Sequence, residues 1–354
     1  ESGLKWAIGS SHQIKWTPQG TYSPVKVEYS TNGFADELQT VLIQEVANSA
    51  HNTQKSFDWT IPDAVGNNVK VRISHLADSD VVAVCPNPIK VLGAISSIVP
   101  NGGQIWYKGD SKEISWYAYG SIANVKIEYK TTLNGALSTI VADHGGHVPG
   151  ANSYTWTSVA DENSETCYIR VSDADILRYA DVFGVSAAPF SMRPKITVSQ
   201  PAAGADVVVL SSPTIAWSLN GSTKVQYVKL YYSKNNGPFT NVINEAGTVD
   251  ATQNYTWSGV PDDLSNNIKI RVIDAVNTNV YGDSESFNII GSITVQLPNA
   301  ASNWAVDSTD KNITWAYTGS ISDVNIYYDY GTGYGDPIAT GISKGTAGAG
   351  SWTW

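Results

Sequence analysis

Val125-Lys126-Ile127-Glu128-Tyr129 alternates apolar and charged residues with a period of two. Such alternation marks a strand with one face in a core and the other toward water. On that reading Val125, Ile127 and Tyr129 point inward, while Lys126 and Glu128 point outward. The pattern recurs at Val25–Tyr29, Val228–Tyr232 and Val324–Tyr328. Shortly before each copy stands Ile-x-Trp, ending at Trp16, Trp116, Trp217 and Trp315, spaced 100, 101 and 98 residues apart. Further on comes aromatic-x-Trp, ending at Trp59, Trp156, Trp257 and Trp354. An alternating segment with a fixed arginine follows in three copies: Val69–Ile73, Cys167–Val171 and Ile268–Val272, carrying Arg72, Arg170 and Arg271. The chain reaches Trp354 before a fourth copy.

Several short strands in each stretch of about 100 residues, separated by Gly, Asn, Pro and Ser turns, describe a β-sandwich of immunoglobulin-like size. The expected fold class is all-β, with tandem immunoglobulin-like sandwiches in a semi-rigid rod. The expected repeats are 1–93, 94–194, 195–291 and 292–354. The joins Ile89–Gly93, Pro194–Ile196 and Ile289–Ile293 contain no Gly/Ser tether, and a short join without such a tether is stiff. The first repeat is read as missing an N-terminal strand and the fourth as truncated before its arginine segment. The expectation is therefore a window on a longer protein whose repeats continue. It begins at Glu1 and shows no signal peptide.

Composition narrows the function. The 354 residues carry 22 Lys+Arg against 32 Asp+Glu, a formal net charge of −10. An acidic chain with no basic run is a poor match for nucleic acid, whose phosphates demand clustered Lys and Arg. No apolar stretch is long enough to span a membrane. Charged residues are 15% of the chain, below the roughly 25–35% of a typical designed surface. The polar surface must come instead from 38 Ser, 28 Thr and 26 Asn. That balance points to a soluble extracellular protein.

Pro100-Asn101-Gly102-Gly103, Trp106, Gly109, Ile114-Ser115-Trp116, Val125–Tyr129, Tyr154-Thr155-Trp156 and Ile169-Arg170-Val171-Ser172-Asp173 together resemble a family of immunoglobulin-like modules. These modules occur in large bacterial surface and secreted proteins and are similar to the Ser/Thr-rich domain of fungal cell-wall proteins. The resemblance covers all four copies. It is weakest in the third, where Pro201-Ala202-Ala203-Gly204 replaces the Asn-Gly-Gly turn and Val207 replaces the early tryptophan. It implies a structural cell-surface protein of the surface-layer (S-layer) type, whose partners are copies of itself in a lattice, with cell-envelope polysaccharide as a further partner. The alternatives are an adhesin or glycan-binding surface protein, and the non-catalytic modules of a secreted hydrolase.

Candidate sites carry competing readings. Asp63, Asp161, Asp262 and Asp263 follow the aromatic-x-Trp segments, with Asn67, Asn68, Glu162, Glu165 and Asn266 nearby. Calcium takes six to eight oxygens from such loops and is the one cofactor the chain would hold. The other reading is an Asx-turn closed by a local amide. Asp78/Asp80 and Asp173/Asp175 pose the same choice. Trp6, Trp106 and Trp304 lie near a turn; a core role is expected for them too, and the alternative is exposure at the surface, where they would offer a sugar platform. The remaining tryptophans are expected in cores. Arg72 and Arg170 are expected to pair on the solvent face with Glu28 and Glu128, and Arg271 to take Tyr231 as a cation–π partner. His144 and His147 have a His-x-x-His spacing in a glycine-containing loop, without the three or four ligands that zinc requires. Gly331–Gly335 reads as a hairpin loop. Cys167 reads as a buried thiol, and a Cys85–Cys167 bridge is the alternative. Asn220, Asn254 and Asn312 head Asn-x-Ser/Thr sequons and are the candidate glycosylation sites. No Gly-x-Ser-x-Gly elbow or His-Glu-x-x-His helix is present, and the chain is expected not to be an enzyme.

Overall fold

The protein is all-β, a tandem array of immunoglobulin-like sandwiches. The structure is a computed structural model that describes residues 3–21, 23–145, 148–175, 180–250 and 253–354. Among the described residues the only helical element is the 3-10 turn Glu37–Gln39. Two compact units divide the chain, Glu1–Arg193 and Pro194–Trp354. Each contains two separate hydrophobic clusters.

The second repeat displays the plan. One sheet runs Ile105–Tyr107, Phe190–Arg193, Ser164–Asp173, Asn124–Lys130 and Ser138–Gly145, with Phe183–Val185 on the side of Ser164–Asp173. The facing sheet runs Gly150–Trp156, Lys112–Tyr119 and Ala94–Val99. The repeat's early strand pairs in parallel with its last, so that Trp106 lies opposite Met192. The same parallel closure joins Trp6 to Val91 and Val207 to Ile289. The third repeat reproduces both sheets. In the first repeat the facing sheet consists of Ser11–Trp16 and Lys55–Thr60. In the fourth, Ser292–Leu297, Asn312–Thr318 and Ala349–Thr353 form one sheet, and Val324–Ile326 with Ala339–Ile342 form the other.

Periodicity correctly places the inward residues. Val125, Ile127 and Tyr129 are buried, as are Ile169 and Val171 on the adjacent strand. Burying such side chains contributes roughly 1.5–3 kcal/mol each. One expectation needs correction. Glu28 and Glu128 are 7% and 3% exposed, so the outer face of this sheet is covered rather than solvated. The covering segments include Glu37 and Phe34 in the first repeat and Phe183 in the second, all in contact with the arginine. Of the two readings of the Trp6/Trp106/Trp304 column, the core one holds at Trp106. Trp106 is 6% exposed, 4.8 Å from Phe190 by ring centroids and edge-on to Trp156. Trp6 stacks on His12 at 4.2 Å, and Trp304 packs edge-on to Trp354. The parallel strand pairing, which alternation alone does not reveal, puts Trp106 and its counterpart Val207 in the core, while Trp6 and Trp304 are half-buried.

A second close approach was also silent in the sequence. A Cβ at Gly184 would sit 2.6 Å from the Ile95 carbonyl oxygen, and one at Gly282 would sit 2.3 Å from that of Ile196. The equivalent residue in the first repeat is Ala83, where the facing sheet has only its two strands. Gly184→Ala should therefore push the Ala94–Val99 strand away and destabilise the second repeat by about 1–3 kcal/mol, the usual range for overpacking. A melting curve unchanged by the substitution would refute the contact.

Candidate functional site: the repeat junctions and the arginine face

Two of the aspartates read as calcium candidates, Asp63 and Asp262, lie at junctions between repeats. Asp63 ends the first repeat's aromatic-x-Trp loop. Its Oδ1 accepts the Ser121 amide at 2.9 Å, and its Oδ2 accepts the Ser121 hydroxyl at 2.7 Å. Asp262 makes the same pair of bonds to Ser320, with the amide at 2.8 Å. In both cases the partners are 58 residues apart. One carboxylate of the preceding repeat thus clamps a Gly-Ser turn of the next.

Glycine makes the approach possible. Gly120 has φ of +85°, and a Cβ there would meet Ile8, Asp63 and Val65. Gly319 has φ of +83° and sits against Gly291, Leu264 and Val209. Gly120→Ala should loosen the junction through backbone strain of about 1 kcal/mol or more. It would be read as faster hydrogen exchange at the Ser121 amide, and unchanged exchange there would count against the clamp.

The Ser320 bonds, first that of its hydroxyl and then that of its amide, hold the Asp262 carboxyl below the ordinary aspartate range. A depressed folded-state value means the clamp is at full strength above the ordinary carboxylate range. It is lost as pH falls through the lowered value. Because the group is exposed, the effect on stability is small.

The remaining candidates are occupied in other ways. Asp263 accepts the Tyr232 hydroxyl at 2.5 Å and Lys234 at 3.2 Å; these partners, Tyr232 first, lower its pKa. Glu162 accepts the Tyr129 hydroxyl at 3.0 Å. Glu165 grips Arg193 through two nitrogens, at 2.9 and 2.6 Å. Asp161 is half-buried in the corresponding loop of the second repeat. Among the described residues no three His, Cys, Asp or Glu side chains come together as a metal centre. A cation at Asp63 or Asp262 would compete with a serine for both carboxylate oxygens. Asp78 and Asp173 each accept the amide two residues on, at 3.0 and 2.9 Å, which is the Asx-turn reading.

The arginines form the other recurrent constellation. Glu28 and Glu128 lie opposite Arg72 and Arg170 in the strand register, as expected. Arg72 donates to Glu28 at 3.1 Å and clasps Glu37 at 2.7 and 2.9 Å, with its guanidinium 4.5 Å from the Phe34 ring. Arg170 donates to Glu128 at 2.8 Å and lies over Phe183. Arg271 faces Tyr231 in register but does not use it as its cation–π partner. It clasps Asp283 through two 2.7 Å bonds and lies between Phe239 and Tyr281, at 4.1 and 3.9 Å. Each arginine thus closes the outer face of its sheet by joining strand to cover.

His144 packs edge-on to Tyr154, while Gly146 and His147 lie outside the described residues. Asp329 accepts three amides, from Gly331, Thr332 and Gly333, which makes Gly331–Gly335 a loop between two strands. Asn220 donates its side-chain nitrogen to the Lys195 carbonyl and the Thr197 hydroxyl. Asn254 and Asn312 are exposed strand residues. Both cysteines are free. Burial pushes the Cys167 thiol up to about 11, and the thiolate is the reactive form. Alkylation at neutral pH should label half-buried Cys85 and spare Cys167 until the protein unfolds; equal labelling of the native protein would contradict this packing.

No family model matches the chain, and no curated protein matches it. Among solved structures it is similar to a tetra-tandem repeat in the extending region of a large adhesion protein, at 13% identity, covering 99% of this chain and 90% of that one with a TM-score of 0.30. It is also similar to an ICAM-5 ectodomain fragment, at 10% identity, covering 99% and 96% with a TM-score of 0.32. A three-Ig-domain titin structure, an E-to-A variant, shares 10% identity, covering 82% and 96% with a TM-score of 0.30. Likeness this distant bears on fold alone, and scores this low add no weight to what the strand pairing establishes.

Proposed function

We propose that this chain is a structural cell-surface protein that assembles with copies of itself into an extracellular, S-layer-type array. The observation that carries the reading is the clamp made twice, Asp63 to Ser121 and Asp262 to Ser320. A lattice needs building blocks whose repeats keep a set orientation, because a closed or periodic assembly tolerates little angular error. A carboxylate that receives both the amide and the hydroxyl of one serine fixes direction as well as distance. The acidic, amide- and hydroxyl-rich surface suits a hydrated exterior. No helix among the described residues is long and apolar enough to cross a membrane. Calcium enters as a bridge between copies, and polysaccharide as the anchoring partner.

Negative-stain electron microscopy of the purified chain, with calcium and with chelator, tests the reading. Ordered sheets in calcium that disperse on chelation are the expected result. Dispersed particles under both conditions would overturn self-assembly and turn attention to adhesion.

A further inference from the structure

The second repeat carries an aromatic pair that its fold does not use. Alternation along Lys112–Tyr119 sends Ile114, Trp116 and Ala118 into the core, where they are buried. It sends Glu113, Ser115, Tyr117 and Tyr119 to the outer face of the three-stranded sheet. Tyr117 and Tyr119 are 40% and 49% exposed, and their rings meet at 4.8 Å with an interplanar angle of 50°.

Sheet stability does not account for them. Exposed tyrosines support a sheet through cross-strand pairs with other large side chains. Here the cross-strand neighbours are small: Tyr117 lies between Ala151 and Ser96, and Tyr119 lies beside Ala94. The two rings therefore stand above the strands on either side and touch each other along one strand. One and three residues beyond the Ile-x-Trp tryptophan, the other repeats carry Thr17 and Gln19, Ser218 and Asn220, and Ala316 and Thr318. The sandwich thus forms without aromatic rings at these positions.

The rest of the face bears hydroxyls. Ser115 sits between Ser153 and Val99, and Glu113 lies beside Thr155. From Glu113 to Tyr119 the row spans about 20 Å at the rise of an extended strand. Glu113 is the one charged side chain among the row and these neighbours.

We propose that this face binds a neutral polysaccharide built of pyranose rings, with Tyr117 and Tyr119 as its platform. A pyranose has a face of C–H groups, which stacks on an aromatic ring, and a rim of hydroxyls, which Ser115, Ser153 and Thr155 are placed to meet. Tyrosine supplies a large, rigid contact area with an apolar body and a polar tip, at little conformational cost. A polyanion would be repelled by Glu113 and would find no cation on the row. A protein partner needs an interface of roughly 1,000 Å² or more around a desolvated apolar centre, and two rings bordered by Ala and Ser fall short of that. The inference rests on the proposed function only for the presence of a polysaccharide partner, not for self-assembly.

Affinity electrophoresis of the purified chain tests the site, in gels cast with hydroxyethylcellulose, laminarin or mannan and with alginate as the polyanionic control. Retardation by at least one neutral polymer and none by alginate is the expected result. The double variant Tyr117→Thr/Tyr119→Gln, which carries the residues of the first repeat, should weaken that binding roughly tenfold or more, as removal of a paired aromatic anchor does. It should leave the melting temperature unchanged, and sheet formation in calcium as it is in the parent chain. Retardation by no neutral polymer would overturn the proposal, as would equal affinity in the double variant or stronger retardation by alginate. Loss of sheets with polysaccharide binding retained would also overturn it and mark the face as a contact between copies. Sheets without retardation would sink the platform and leave the array standing; retardation without sheets would do the reverse.

Discussion

Trp106→Ala should lower the stability of the second repeat by about 3–5 kcal/mol, the cost of emptying an aromatic site in a packed core. For a domain of this size that corresponds to a drop in Tm of roughly 15 °C or more. The reason is the ring's location between Phe190 and Trp156, with the strand below it locked in parallel to Phe190–Arg193. Trp106→Val should be milder, since the third repeat packs Val207 at the same place with 6% exposure. A sugar platform would behave in the opposite way, with polysaccharide affinity lost and melting unmoved. Thermal unfolding measured alongside a binding isotherm therefore separates the two roles.

The second large effect is expected at Arg170. Glu128 is 3% exposed and is held by Arg170 at 2.8 Å and Lys126 at 2.5 Å. Arg170→Ala strands a buried carboxylate with a single partner and removes the cation from the Phe183 ring. Breaking a buried pair from one side costs about 3–5 kcal/mol, and Lys126 keeps this case near the lower end. Arg271→Ala is the internal control. Its partner Asp283 is one-third exposed and sits on the outer strand, so its loss should cost about 1 kcal/mol or less. Hydrogen exchange of the arginine strands in each repeat reads both values. Equal losses at the two positions would refute burial as the source of the difference. The double variant Glu128→Ala/Arg170→Ala should cost less than the two single variants added together, because it leaves no orphaned charge.

Both expectations show where sequence reasoning ran short. Alternation within Val125–Tyr129 correctly placed the residues inside the sandwich, but it treated the opposite face as water. Period two reports only that a strand has two faces; it does not report what covers the second. Here Phe34, Phe183 and Tyr281 close it, from positions outside the tyrosine and arginine strands. Residue type and position single out the acidic loop residues, with calcium or a local turn as the chemistry they suggest. The partner of Asp63 and Asp262 is a Gly-Ser pair whose serine stands five residues beyond the next repeat's Ile-x-Trp, at Gly120-Ser121 and Gly319-Ser320. A single serine carries no chemical signature until a carboxylate is brought to it, so residue type alone does not reveal the clamp.

The sequence by itself determined the repeat period, the all-β class, the inward tyrosines and tryptophans and the register of Glu28 and Glu128 on their arginines, because all of these follow from local alternation and from copies that can be laid on one another. Only the tertiary structure decided how Trp106 is enclosed in the core, that Gly184 and Gly282 lie under a neighbouring carbonyl, and that Asp63 and Asp262 clamp the following repeat. Each of these depends on pairing between residues tens of positions apart, where strand direction and close backbone approach, rather than residue type, set which groups meet.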